Sequence, residues 1–326
     1  MGDPAGIGPE ITVRAMARPE IYACARPLVI GSRRVLERVM PIVGQSLDFH
    51  VVRTPEEGLY RHGVIDVLDM DNYPGDAPFG VVSAKAGQAA FEYIRKSIDL
   101  SLAGDIDGVA TSPIQKEAIH MAGIPYIGHT EMYCGMTGSP KAVTMFHVNA
   151  MRIFFLSRHM SLIKACQFVT YANVLPFIEN CHAAMKMLGV AEPRLAVAAL
   201  NPHGGEGGLC GDEEVNALQP AVEEAVRRGI KAFGPIPADS VFRLFDYGRC
   251  DAVLSLYHDQ GHIAAKVHDY EHTVSVTVGL PFVRVSVDHG TAFDIAGKGI
   301  ASSVHLEESI EVAAEYAYRI RPRAGA

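Results

Sequence analysis

Asp288-His289-Gly290-Thr291-Ala292-Phe293-Asp294-Ile295-Ala296-Gly297-Lys298-Gly299-Ile300-Ala301 reads as a rigid, ligand-wrapping loop with a carboxylate at its centre. Glycines at 290, 297 and 299 permit backbone angles that other residues resist, so the loop can close on a ligand and offer it backbone N–H groups. Asp294 then serves as acceptor for the hydroxyls of an adenosine ribose and repels a 2'-phosphate, which favours NAD over NADP. The competing reading is a glycine-rich surface turn.

Working outward, the flanking chain has βα rhythm. Leu28-Val29-Ile30-Gly31 precedes a helix near 32–43, and Gly108-Val109-Ala110-Thr111 precedes one near 115–122. Leu195 to Leu200 and Ala252 to Leu256 are further strands, each running into a loop that carries His203 or His258. Chemistry at strand ends fits the rule that open α/β sheets bind ligands beyond the carboxyl ends of their strands. Two β-rich runs within 142–159 meet at Asn149-Ala150 as a hairpin, which predicts a mixed sheet. Long helices are expected near 83–104, 172–189, 212–228 and 305–319, with apolar stripes that belong to the core.

With 326 residues, 48% of them hydrophobic, the chain can bury a substantial core. No apolar run reaches membrane-span length and no secretory signal opens the sequence, so the expected location is cytoplasmic. Cysteines at 24, 134, 166, 181, 210 and 250 form no Cys-x-x-Cys pair, which argues against a disulfide framework or thiolate zinc site. A formal charge of −8 disfavours nucleic acid as partner, whereas an anionic small molecule needs only local positive charge.

His159, His203 and His258 stand out among the 14 histidines because each ends or follows an apolar strand. Three imidazoles that leave positions open are a recognised setting for a catalytic divalent ion, although each alone is more often an ordinary polar residue. Zinc, cobalt, nickel, manganese or magnesium are the candidates. Arg284 offers a planar fork and Lys266 a point charge for a phosphate, with His129 and Thr130 adding donors from another loop. Asp259 can orient an imidazole. Asp239 reads equally as a catalytic carboxylate and as a helix N-cap. Lys116 is a proton-transfer candidate whose competing reading is an ordinary helix-start cation.

The loop at 288–301 is similar to the adenosine-binding loop of isopropylmalate and isocitrate dehydrogenases, and Gly2-Asp3-Pro4-Ala5-Gly6-Ile7-Gly8-Pro9-Glu10 resembles their opening. Across nearly the whole chain, Gly128-His129-Thr130-Glu131, Asn201-Pro202-His203, Gly234-Pro235-Ile236-Pro237-Ala238-Asp239 and Tyr257-His258-Asp259-Gln260-Gly261 resemble the 4-hydroxythreonine-4-phosphate dehydrogenase family. Ser157 to Leu162, Asp259 to Ile263 and Phe293 to Lys298 look more like the branch acting on D-threonate or D-erythronate 4-phosphate.

That resemblance implies a two-lobed α/β/α fold of the isocitrate/isopropylmalate dehydrogenase type, with the active site in the interlobe cleft and a homodimer whose sites are shared. The lobes are expected at 1–125 plus 277–326 and at 126–276. It carries metal ligation onto His159, His203 and His258, and phosphate contacts onto His129, Thr130, Lys266 and Arg284. Ser275 joins the substrate set where the family has an asparagine. NAD contacts fall on His289, Gly290, Thr291, Ala292, Asp294 and Ile295. Asp259, Asp239 and Lys116 remain the catalytic candidates.

The implied reaction is NAD- and metal-dependent oxidation of a four-carbon hydroxy acid 4-phosphate, with decarboxylation to dihydroxyacetone phosphate. The alternatives are 4-hydroxy-L-threonine 4-phosphate as substrate, an aromatic dicarboxylate dihydrodiol dehydrogenase, a three-histidine hydrolase, and a noncatalytic binding protein. One departure concerns the opening loop, which lacks the apolar strand expected to feed it. The turn itself is expected to be structural, with Pro9 starting a helix near 10–18.

Overall fold

The computed structural model describes residues 1–320, which divide into two compact units, one of residues 1–142 with 280–320 and one of Val143–Gly279. The first unit begins with α1 (Gly8–Met16), α2 (Pro19–Cys24), β1 (Val29–Gly31), α3 (Arg33–Ile42), β2 (Asp48–Val52) and β3 (Val64–Asp69). It continues with α4 (Ala84–Ala103), β4 (Gly108–Thr111), α5 (Lys116–Met121) and α6 (His129–Thr137). The strand order β1-β3-β2 is parallel throughout, with Val29 opposite Val67 and His50 opposite Asp66.

The second unit holds β5 (Val143–Val148), β6 (Met151–Phe155), α7 (Leu162–Phe168), α8 (Tyr171–Met187), β7 (Leu195–Ala198) and α9 (Gln219–Arg227). After these come β8 (Ala232–Ile236), α10 (Ala238–Val241), β9 (Ala252–Ser255), α11 (His258–His268) and β10 (Val274–Val278). Its strands lie in the order β10-β5-β6-β9-β7-β8. The β10/β5 and β5/β6 pairs are antiparallel and the remainder parallel, so the expected mixed sheet is present. Asn149 takes a left-handed φ of 51° at the predicted hairpin turn.

The chain then returns to the first unit as β11 (Val283–Val287), parallel to β4, and α12 (Val304–Ile320).

The unit boundaries differ from the expected ones, because residues 126–142 belong to the first unit. The cause is packing: Met132 and Tyr133 of α6 are fully buried against Ile94, Ile98, Val109 and Phe282. Tyr133 also shares a 2.7 Å hydrogen bond with Ser97 of α4. A core that includes a buried tyrosine hydroxyl with its partner is not easily split.

The helix expected over 212–228 is two pieces, a π-helical turn at Glu214–Leu218 followed by α9. Among the described residues no helix is long and apolar enough to cross a membrane.

Candidate active site

In the second unit, β6, β9 and β7 are adjacent and parallel, so their carboxyl ends open on one edge of the sheet in that order. His159, His258 and His203 follow those three ends. Side chains tie the strand ends together. Ser157 donates to the Leu256 carbonyl at 2.8 Å, joining the β6 and β9 exits. Gln260 accepts from Leu256 N–H at 2.7 Å and donates to the Ala199 carbonyl at 2.8 Å, joining the β9 and β7 exits. These bonds are buried, where losing a partner costs about 1–3 kcal/mol.

The imidazoles are oriented individually. His203 Nδ1 lies 2.8 Å from Glu206 and His258 Nδ1 lies 2.6 Å from Asp259. A carboxylate only accepts, so each Nδ1 carries a proton, and in the neutral ring Nε2 then keeps the lone pair that a metal ligand requires. The His159 and His258 ring centroids are 6.3 Å apart, within reach of a shared ion at roughly 2.1 Å from each nitrogen. Among the described residues no group of three or more His, Cys, Asp or Glu side chains is drawn together as a metal centre, so one chain gathers the first two histidines but not the third with them. Imidazole donors suit a divalent ion, and His159 and His258 are the pair drawn together within the chain, with His203 following the neighbouring strand end.

The His203 loop has unusual backbone. His203 and Glu206 have φ values of 55° and 46°, beside Gly204, Gly205 and Gly207 at 72°, 76° and 68°. A non-glycine residue held there stores about 1 kcal/mol or more, so something must hold it. Glu214, 2% exposed on the π-helical turn, accepts from Leu200 N–H, Asn201 N–H and the Asn201 side chain, all at 2.8 Å. Those bonds hold its carboxyl below the usual range despite burial.

Asp259 is exposed and serves His258, in keeping with the orienting role expected of it. Asp239 does not cap α10: Pro237 is the N-cap residue, and Asp239 sits exposed in the first turn, where it favours the helix dipole only. The helix begins at Ala238, two residues earlier than a cap at 239 requires. Ser275 lies on β10 opposite Phe146, and Lys266 on α11 stands 5.4 Å from the Tyr270 ring.

In the first unit, Arg284 of β11 is 3% exposed, donates to Thr111 at 2.8 Å and lies 5.4 Å over the Tyr133 ring. Burial lowers its pKa to about 10, so it stays charged at neutral pH. Burial, and then the Arg284 charge, depress the His129 imidazole well below its ordinary value, which makes His129 a neutral hydrogen-bonding group there. His129 and Thr130 open α6, whose N-cap Gly128 supplies no side-chain acceptor. Such an end, with N–H groups and the positive dipole directed outward, favours an anion. Lys116 opens α5, is exposed, and its stem runs beside Gly128. Lys116, His129, Thr130 and Arg284 thus form one basic neighbourhood, whereas Lys266 and Ser275 belong to the other unit.

The loop at 288–301 is built differently from its expected form. Gly297 and Gly299 are left-handed at 80° and 66°, but Gly290 is not among the left-handed residues. Gly297 and Gly299 turn their N–H groups to the Glu10 carboxylate, at 2.5 and 2.9 Å, rather than to a ligand. Glu10 is fully buried and needs those donors. A Cβ on Gly299 would sit 2.2 Å from the Ile42 carbonyl, which fixes glycine there by close approach. Ile7 N–H bonds to the Thr291 carbonyl, so the opening turn packs onto this loop and is structural, as expected. Ala292 has a φ of 41°, Thr291 is buried, and Asp294 and Gly290 face solvent, with clear space around Gly290. His289 Nδ1 lies 2.9 Å from the Gly290 carbonyl, and Ile295 is half-buried against the α1–α3 core. The outward side of the loop fits a ribose at Asp294.

Sequence reasoning missed Glu10, Glu214, Gln260 and Thr111, none of which carries a spacing signal. Glu206 was readable from its place three residues after His203.

Comparison with known proteins gives this geometry a class. A relative from Symbiobacterium thermophilum described as "Putative D-threonate 4-phosphate dehydrogenase" is 56% identical over 98% of this chain and 96% of its own length. The crystal structure of 4-hydroxythreonine-4-phosphate dehydrogenase from Klebsiella pneumoniae superposes with a TM-score of 0.90 at 37% identity, covering 97% of this chain and 98% of that one. Terephthalate 1,2-cis-dihydrodiol dehydrogenase from Burkholderia xenovorans reaches a TM-score of 0.62 at 28% identity, covering 94% and 93%. Fold and relatives define an oxidoreductase of the dehydrogenase class. The model of the family "Pyridoxal phosphate biosynthetic protein PdxA" matches residues 23–313, and the chain belongs to that family.

Proposed function

We propose that the protein is an NAD-dependent, divalent-metal-dependent dehydrogenase that converts D-threonate or D-erythronate 4-phosphate to dihydroxyacetone phosphate and carbon dioxide. Hydride from carbon 3 passes to the nicotinamide, the 3-hydroxyl proton leaves to a base, and the resulting 3-keto acid loses its carboxylate as carbon dioxide. Carbon 2 then takes up a proton. A divalent ion would supply Lewis acidity toward the hydroxyl oxygen and the carbonyl formed from it.

The observation that carries the reading is the edge of three tied strand ends, each followed by a histidine, two of them held at Nδ1 by a carboxylate. His159, His203 and His258 hold the ion. Buried Arg284, with His129, Thr130 and the α6 N-terminus, grips phosphate in the first unit, and Lys266 and Ser275 are the second unit's own substrate candidates. Asp294 binds ribose, and Lys116 is the general-base candidate beside the phosphate end.

A dihydrodiol dicarboxylate carries no phosphate for the guanidinium of Arg284 to meet, and a nucleotide-free hydrolase has no use for a ribose acceptor at Asp294. 4-Hydroxy-L-threonine 4-phosphate is the alternative substrate, in keeping with the family's place in pyridoxal phosphate biosynthesis.

The assembly we propose is a homodimer with shared sites. It is supported by exposed Met160, Leu162 and Ile163 just after His159, together with exposed Ile263 and Val267 on the helix that begins at His258. Sedimentation of a fully active monomer would contradict it. The substrate reading is tested by screening both acid phosphates, the amino analogue and a dihydrodiol dicarboxylate for NADH formation. Turnover of the acid phosphates is expected. Preference for the amino analogue would move the substrate assignment, and turnover of the dihydrodiol alone would remove the phosphate site.

A further inference from the structure

His262 sits one helical turn after His258 on α11, and the two rings are stacked, 3.6 Å between centroids and 12° from parallel. The His262 ring is also packed by Phe146 at 4.3 Å and 65° and by Phe155 at 4.4 Å and 44° between ring planes. Its Nδ1 lies 2.8 Å from the His258 backbone carbonyl, which can only accept, so Nδ1 carries a proton and the ring is fixed in azimuth. Gly261 lets this assembly seat: a Cβ there would lie 2.5 Å from the Phe155 ring and 2.7 Å from Ser255 Oγ. The result is a column of aromatic faces rising from the buried β5/β6 surface to the exposed His258.

A surface imidazole rotates freely about its ring torsion, and holding it in one orientation has an entropic cost. Asp259 restrains one edge of His258, but that carboxylate is itself exposed. We infer that His262 is a positioning residue for His258: its flat ring is the backing plate that keeps the His258 Nε2 lone pair pointed at the metal position. This rests on the reading of His258 as a metal ligand. A role as a further ligand is less consistent with the stack, because parallel rings in face contact do not converge on one ion.

The test uses cobalt(II) chloride titrated into metal-free protein, followed by the visible absorption bands, with the thermal midpoint of the metal-free form measured in parallel. His262→Leu keeps bulk without a plate and is expected to weaken cobalt binding about 10- to 100-fold and alter the bands. His262→Phe restores a flat ring without the nitrogen and is expected to bind within about threefold of the unaltered protein. Unchanged binding in His262→Leu would overturn the inference, as would equal losses in the Leu and Phe variants. If His262→Leu does not fold, His262→Gln replaces it with the same expectation. Cobalt binding that is indifferent to His258→Ala would overturn the metal reading and this inference together, whereas binding that needs His258 but not the His262 plate overturns this inference alone.

Discussion

Two glycine-rich loops in this protein are each held by one buried glutamate, and they are held at opposite ends. Glu10 grips the loop at 288–301 downstream of Asp294, through the amides of Gly297 and Gly299. Glu214 grips the loop at 201–211 upstream of His203, through the amides of Leu200 and Asn201. The first leaves the start of its loop open and exposed around Gly290 and Asp294. The second fixes the entry and drives His203 and Glu206 into left-handed backbone, as an arm that presents a single side chain. Glycine content alone reports neither arrangement. What decides is where the buried carboxylate draws its donors.

The largest effect that sharpens this comparison comes from the presented side chain itself. His203→Ala, or removal of metal with a chelator, is expected to abolish turnover while leaving the thermal midpoint nearly unchanged and NAD binding intact. Full activity in verified metal-free protein would mean that the arm presents nothing of chemical use.

Arg284 is held by a strand rather than by either loop, which makes it the reference point. Arg284→Ala is expected to cost binding of phosphorylated substrate about 1.5–3 kcal/mol. The loss should appear in KM for the phosphorylated acid, with cobalt and NAD affinities unmoved. Equal losses for phosphorylated and unphosphorylated acids would remove the phosphate role.

The comparison breaks or holds on a pair of smaller changes. Glu10→Ala should weaken NAD about tenfold and spare cobalt, and Glu214→Ala should weaken cobalt about tenfold and spare NAD, since each strands two half-buried amides worth about 1 kcal/mol apiece. Calorimetric titration of each variant with each ligand reads this directly. If both variants lose both ligands alike, the glutamates act on global stability and not on their own loops. The smallest effect belongs to Asp294→Ser, which should narrow the preference for NAD over NADP several-fold without altering metal affinity. Comparable efficiency with the two nucleotides in the unaltered enzyme would remove Asp294 from the ribose.

Much of the frame was legible in the sequence because short apolar runs and their breakers are local. The β5/β6 hairpin at Asn149, the strand–loop exits to His203 and His258, and the helices at 84–103 and 304–320 all followed from periodicity and turn residues. The placement of His159, His203 and His258 after strand ends was legible for the same reason. What stayed hidden is held by long-range burial. Glu10 reaches residues nearly 290 positions away, Gln260 reaches Ala199, and Arg284 reaches Thr111. The unit boundary was misplaced because Tyr133 and Met132 look like residues of any amphipathic helix until their partners on α4 are known. Asp239 reads equally as a cap and as a catalytic carboxylate from its neighbours alone, and the helix start at Ala238 removes the cap reading.

The most direct measurement follows D-threonate 4-phosphate and NAD in metal-loaded enzyme, quantifying NADH, carbon dioxide and dihydroxyacetone phosphate in one reaction. One equivalent of each per substrate consumed, lost on chelation and restored by added divalent ion, is the predicted result. NADH formed without dihydroxyacetone phosphate would contradict the decarboxylation, and no NADH from either four-carbon acid phosphate would contradict the account as a whole.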